Sequence, residues 1–126
     1  MQNYRVNHVH LYSPDPLKTA EFYEKIFGAE RRHIQKDPGD RIVVELLLNG
    51  TLILISDPWD KNDPNNRFGL DHIGIETDNL DAAIAELKEQ GVKFVMDKTS
   101  LPVGDISFLI APDNTLIEVL HLKDRV

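Results

Sequence analysis

The sequence predicts an α+β fold built from two similar βαβββ modules. Three observations carry that reading: an internal repeat, matched helix start and stop signals, and short apolar runs separated by residues suited to tight turns. His8-Val9-His10-Leu11 and His72-Ile73-Gly74-Ile75 each place a histidine before alternating apolar residues, 64 positions apart. Asp15-Pro16-Leu17-Lys18-Thr19-Ala20 and Asp78-Asn79-Leu80-Asp81-Ala82-Ala83 follow as acidic helix openings, and the helices stop at Gly28 and Gly91, 63 apart. Asn49-Gly50-Thr51-Leu52-Ile53 against Asp113-Asn114-Thr115-Leu116-Ile117 restores the offset of 64. Three blocks in one order, with a single one-residue slip, argue for a duplicated unit.

Each element follows from local chemistry. Asp15 and Asp78 suit the N-cap, where a carboxylate accepts the orphan amide protons of the first turn, and Pro16 suits the first helical position. Leu17, Ala20, Phe22 or Tyr23, Ile26 and Phe27 give the first helix its apolar period; Leu80, Ala83, Ile84 and Leu87 do so for the second. Gly28 and Gly91 allow the left-handed residue that ends a helix. Strand-type runs follow at Ile42 to Leu48 and Leu52 to Ile55, then at Val92 to Met96, Asp105 to Ile110 and Leu116 to Leu122. Asn49-Gly50 and Asp113-Asn114 tolerate the positive φ of tight hairpins. The stretch Asp57 to Phe68 is polar and rich in Pro and Asn, the signature of a connector. The expected organisation is one domain, with module one over 1–56, a linker over 57–69 and module two over 70–126.

Composition narrows the function. A length of 126 residues, 41% hydrophobic and 28% charged, fits one globular domain. A formal net charge of −7 and the lack of a basic cluster argue against nucleic acid and anionic membranes as partners. With no cysteine, disulfides, thiolate metal sites and cysteine nucleophiles are excluded. The first residues lack an apolar signal region and no run reaches bilayer length, so the expectation is a cytoplasmic protein.

Strand parity then selects candidate ligands. Val9 and Leu11 must face the helix that follows, which leaves His8, His10 and Tyr12 on the opposite face. The same rule groups His72, Gly74 and Glu76 away from Ile73 and Ile75, and turns Glu118 away from Ile117 and Val119. Glu118 sits between Leu116 and Leu120 on that face, where a carboxylate is costly unless something pairs with it. Two repeat-equivalent histidines and an acid of matching face make His8, His72 and Glu118 the candidate metal ligands. Such a set leaves coordination positions open and suits Fe, Mn, Zn, Ni or Co as the divalent ion.

The sequence here resembles the vicinal oxygen chelate superfamily, the group of glyoxalase I, methylmalonyl-CoA epimerase, extradiol dioxygenases and the fosfomycin- and bleomycin-resistance proteins. The resemblance covers nearly the whole chain. It rests on His8-Val-His-Leu-Tyr-Ser-Pro-Asp15, Phe22-Tyr23-Glu-Lys-Ile-Phe27-Gly28, Leu70-Asp-His72-Ile-Gly-Ile and Ala111-Pro-Asp-Asn-Thr-Leu-Ile-Glu118. It implies the glyoxalase/bleomycin-resistance/dioxygenase fold, in which two βαβββ modules pair curved mixed sheets around a metal cleft. It also implies His8, His72 and Glu118 as ligands, a small-molecule substrate with adjacent oxygens, and a homodimer. One departure stands out: Leu54 occupies the place, 64 before Glu118, where glyoxalase I and the epimerase have a fourth protein ligand. Three-ligand sites resemble those of the dioxygenases and the thiol transferases. Asn114, where the family usually has Gly, still tolerates the turn.

His10 is either an acid/base or substrate contact beside His8 or a partly exposed strand histidine. Tyr12 lines the mouth, and Phe108 stands where the thiol-transferase branch has a substrate-touching tyrosine, which counts against that branch. His33 and His121 are read as bystanders, Glu45 as an edge or interface residue, and Trp59 as packing the linker or closing over a ligand. The sequence thus favours a metal-dependent, dioxygenase-like enzyme. A glyoxalase- or epimerase-like lyase/isomerase is the first alternative, and a metal-free drug-binding protein is the second.

Overall fold

The computed structural model describes residues 2–37 and 39–123. The elements run β1 (Tyr4–Tyr12), α1 (Pro16–Phe27), β2 (Glu30–Lys36), β3 (Ile42–Leu48), β4 (Thr51–Ser56), β5 (Gly69–Thr77), α2 (Leu80–Glu89), β6 (Lys93–Leu101), β7 (Gly104–Ala111) and β8 (Thr115–Leu122). The chain divides into two compact units, residues 8–71 and residues 72 onward together with those up to Asn7. The connector segment 57–68 belongs to the first unit and holds neither helix nor strand.

In the first unit the strand order is β2-β3-β4-β1, with β1 parallel to β4 and the other neighbours antiparallel. The second unit repeats this as β6-β7-β8-β5, with β5 parallel to β8. Each unit is therefore a mixed four-stranded sheet. Its parallel pair is possible because a helix and two strands intervene, giving the chain length a parallel crossover needs.

One face of each sheet is covered by its helix. In the first unit, Ala20 and Tyr23 of α1 pack with Val9, Leu11, Val44, Leu46, Ile53 and Ile55. In the second, Leu80, Ile84 and Leu87 of α2 pack with Ile73, Ile75, Leu109, Ile117 and Val119. Leu46 and Ile55 are wholly buried, and each contributes about 2 kcal/mol through the apolar surface it removes from water.

The capping signals operate with one correction. The Asp15 side chain accepts the Lys18 amide, Pro16 opens α1, and Gly28 ends it at φ 74°. For α2 the cap is Asn79, whose side chain accepts the Ala82 amide, and not Asp78. β5 runs on to Thr77, so the helix begins one residue later than the repeat implied; Asp78 holds Arg5 instead, at 3.0 Å. Both hairpin pairs adopt positive φ, 46° and 92° at Asn49-Gly50 and 63° and 60° at Asp113-Asn114. Two consecutive left-handed residues suit a right-twisted hairpin.

Two further readings need revision. Phe22, Ile26 and Phe27 are more than half exposed, so α1 turns only its Ala20–Tyr23 side to the sheet. β2, which reads Glu-Arg-Arg-His-Ile-Gln-Lys, is a strand that apolar periodicity does not reveal. It lies at the end of its sheet, where charged side chains discourage further pairing.

Candidate metal centre

His8, His10, His72 and Glu118 occupy the faces away from the helices. In the first unit His8 pairs with Leu52 and His10 with Leu54 across the parallel β1–β4 ladder. His8 and His10 are both buried, at 4% and 7% exposure, so His10 is not the exposed strand histidine of the alternative reading. Their rings meet edge to face at 6.1 Å, and His10 meets Tyr12 in the same way at 5.6 Å.

The orientation of His10 comes from residues the sequence reading did not single out. Its Nε2 lies 2.7 Å from Ser56 Oγ. The Ser56 hydroxyl donates to the Asp57 carbonyl at 2.8 Å and accepts from Arg41 Nη2 at 3.0 Å. With that hydroxyl proton committed, His10 Nε2 must be the donor, which assigns the Nε2–H tautomer. Arg41 is itself held by Asp37 at 3.3 Å and stacks on Trp59 at 5.0 Å. Asp37, Gly39, Arg41 and Trp59 line a shallow cavity of about 300 Å³. Trp59 is 78% exposed, so it does not pack the connector.

In the second unit His72 is 6% exposed, and its Nε2 stands 3.8 Å from Glu118 Oε1. Two donors each about 2.1 Å from one ion can be at most about 4.2 Å apart, so this spacing fits shared coordination. Imidazole nitrogen and carboxylate oxygen are also a donor set that borderline divalent ions accept. Phe108, opposite Glu118 on β7, meets the His72 ring edge-on at 5.3 Å and 86°. Such a contact fixes the ring plane.

Glu76, on the same strand face as His72, is 2% exposed and bonded by Arg5 at 3.1 Å and Asn7 at 3.0 Å. The Asp78 carboxylate, ahead of Glu76, raises the Arg5 pKa above its usual value. His121 points its Nδ1 at the Thr77 carbonyl at 3.0 Å, a structural tie that agrees with its reading as a bystander.

Leu54 lies outside the helix-side cluster and faces His10 and Glu45 across the ladders. Glu45 is not at an edge: β3 is bonded on one side to β2 and on the other to β4. The signal for it was in the sequence, a single acid among Val43, Val44, Leu46 and Leu47, but a one-dimensional reading could not give its neighbours.

A profile of the Glyoxalase/Bleomycin resistance protein/Dioxygenase superfamily matches residues 5–119. The chain belongs to that superfamily, and its fold is that of the family. A hypothetical protein of known structure from Bacillus halodurans C-125 superposes with a TM-score of 0.84 over 98% of both chains, at 18% identity. The mitochondrial methylmalonyl-CoA epimerase of Homo sapiens is 30% identical over 105 residues, which cover 77% of this chain and 60% of that protein. The lactoylglutathione lyase of Schizosaccharomyces pombe is 27% identical over 98% of this chain and 47% of its own length. The chain thus spans about half to three fifths of the curated relatives it matches. Neither is a dioxygenase, so the preference for an oxygenase drawn from Leu54 gives way to the lyase/isomerase alternative. Among the described residues no helix is long and apolar enough to cross a membrane.

Proposed function

We propose that this chain is a divalent-metal-dependent lyase or isomerase that moves a proton on the carbon beside a thioester carbonyl. The observation that carries the reading is the His72–Glu118 pair, a buried histidine and a partly buried carboxylate 3.8 Å apart on the face away from α2. His8, at the repeat-equivalent position of His72 and also buried, supplies the third ligand of the proposed site. The two relatives support the substrate class. Methylmalonyl-CoA and lactoylglutathione are both thioesters with a hydrogen on the α-carbon and a second oxygen close to the carbonyl.

A divalent ion bound by these residues supplies positive charge for the oxygen that becomes anionic when that hydrogen leaves. The protein's part is to hold the donors in place. Phe108 fixes the His72 plane and Ser56 with Arg41 fixes His10 beside His8. Tyr12 and Leu54 form the substrate-side wall of the same proposal.

Protein purified without chelator should carry stoichiometric divalent metal, and it should exchange the α-hydrogen of methylmalonyl-CoA or S-lactoylglutathione for deuterium in D₂O. His8→Ala, His72→Ala and Glu118→Ala should each weaken metal binding on the order of 100-fold, read by calorimetry. Metal-free, inert protein would sink the reading and favour the drug-binding alternative. The apolar Leu54, which leaves one coordination position without a protein donor, supports an oxygenase as the second reading. An oxygen electrode with Fe(II)-loaded protein and a catechol tests it. A homodimer belongs to the same proposal, supported by the apolar side of α1 exposed at Phe22, Ile26 and Phe27. Light scattering at micromolar concentration checks it.

A further inference from the structure

β1 carries two buried histidines two residues apart, and only His8 belongs to the ligand set proposed above. Alternate residues of a strand point to the same side, so His8 and His10 share the face away from α1. A ring nitrogen of His8 lies within 4.8 Å of a ring nitrogen of His10. Two nitrogens bound to one ion at about 2.1 Å each stand at most about 4.2 Å apart. The two rings therefore have to close by about 0.6 Å at most to share an ion.

The hydrogen bonds of His10 decide which of its nitrogens carries the lone pair. Nε2 donates to Ser56 Oγ at 2.7 Å, because that hydroxyl gives its own proton to the Asp57 carbonyl and already accepts from Arg41. The lone pair is then on Nδ1. This is the state in which a neutral imidazole binds a cation: one nitrogen coordinates while the other gives its N–H to a fixed acceptor that holds the ring plane. Ser56 is wholly buried, and Arg41 is held in turn by Asp37 and covered by Trp59. The tie also comes from the side away from His8. Ser56 pairs with Tyr12, one step along this face beyond His10, whereas His8 lies one step before it.

The duplication adds an independent reason. In the second unit Gly74, which has no side chain, is paired with Glu118 across the parallel ladder. In the first unit the equivalent pair, 64 positions earlier, is His10 with Leu54. Each pair holds one donor side chain, on β8 in one unit and on β1 in the other. Each unit then offers two donors: His72 with Glu118, and His8 with His10. We propose that His10, through Nδ1, is a further ligand of the ion that His8 holds, and that Ser56 is the residue that positions it. The inference rests on the metal-site reading. It also weighs against the oxygenase reading, because a nitrogen from β1 makes up for the donor that Leu54 lacks.

The full chain loaded with Co(II) tests this without any substrate. Each coordinated imidazole that keeps a ring N–H gives one strongly shifted, exchangeable proton resonance, so the wild type should show one each from His8, His10 and His72. His10→Phe should lose one of these, and its Zn(II) affinity by calorimetry should fall at least about 100-fold. Ser56→Ala should keep all of them, exchange the His10 proton with solvent faster, and weaken Zn(II) about tenfold. A wild-type spectrum without a His10 resonance overturns the ligand role even if His10→Phe fails to fold. So does a Zn(II) affinity in His10→Phe within about twofold of wild type, and both results leave His8, His72 and Glu118 standing as ligands. Unchanged exchange and affinity in Ser56→Ala overturns the positioning role. A wild type that binds neither ion overturns this inference and the metal-site reading together.

Discussion

The two units share one plan, yet corresponding rows on the faces away from their helices carry different chemistry. In the second unit the row is Gly74, Glu118, Phe108 and Met96 across β5, β8, β7 and β6. In the first it is His10, Leu54, Glu45 and His33 across β1, β4, β3 and β2. The offsets are 64 for the first two positions and 63 for the last two. The acid has in effect moved one strand outward, and an apolar side chain has taken its place. In the second unit Glu118 stands 3.8 Å from His72, a ligand's distance, while Glu45 lies beyond Leu54 from the histidine strand. A duplicated scaffold can thus seat an acid on the strand beside the histidine strand in one copy and one strand further out in the other.

The ends of the strands differ in the same way. Gly104 and Arg41 are equivalent at the offset of 63. Arg41 reaches Ser56, whereas a Cβ at Gly104 would come within 2.2 Å of the His121 carbonyl oxygen. Gly104→Ala must therefore shift backbone, and we expect a loss of about 2–3 kcal/mol in a denaturant titration. A neutral substitution would mean the β7–β8 approach is looser than described, and the contrast with Arg41 would vanish.

Leu54→Glu tests the row itself by giving the first unit the carboxylate of the second. On the proposed site, divalent-ion affinity should rise about tenfold by calorimetry, as an added carboxylate fills an open position. Any oxygen uptake should fall. Unchanged affinity would show that Leu54 and Glu118 are not functionally equivalent, whatever their register.

The smallest effect sharpens the similarity. Asp15→Ala and Asn79→Ala each remove one side-chain acceptor from a first-turn amide, and each should cost about 1 kcal/mol. Unequal losses, read from thermal melts of the two variants, would show that one helix relies on its cap far more than the other.

The sequence by itself determined what local chemistry can write. Helix stops need a left-handed residue, hairpins need residues that tolerate positive φ, and strand parity separates Val9 and Leu11 from His8 and His10. Hence the modules, the two hairpin turns and the faces of the candidate ligands were legible. What only the tertiary structure decided depends on which strands are neighbours. β2 is a strand because β3 pairs with it, not because its charged residues alternate. Asn79 displaced Asp78 as the cap because β5 extends to Thr77 and Asp78 is engaged by Arg5. Glu45 read as an edge or interface acid and lies on an interior strand, because a side chain's neighbours across a sheet are set by register, and register between strands is a property of the folded chain.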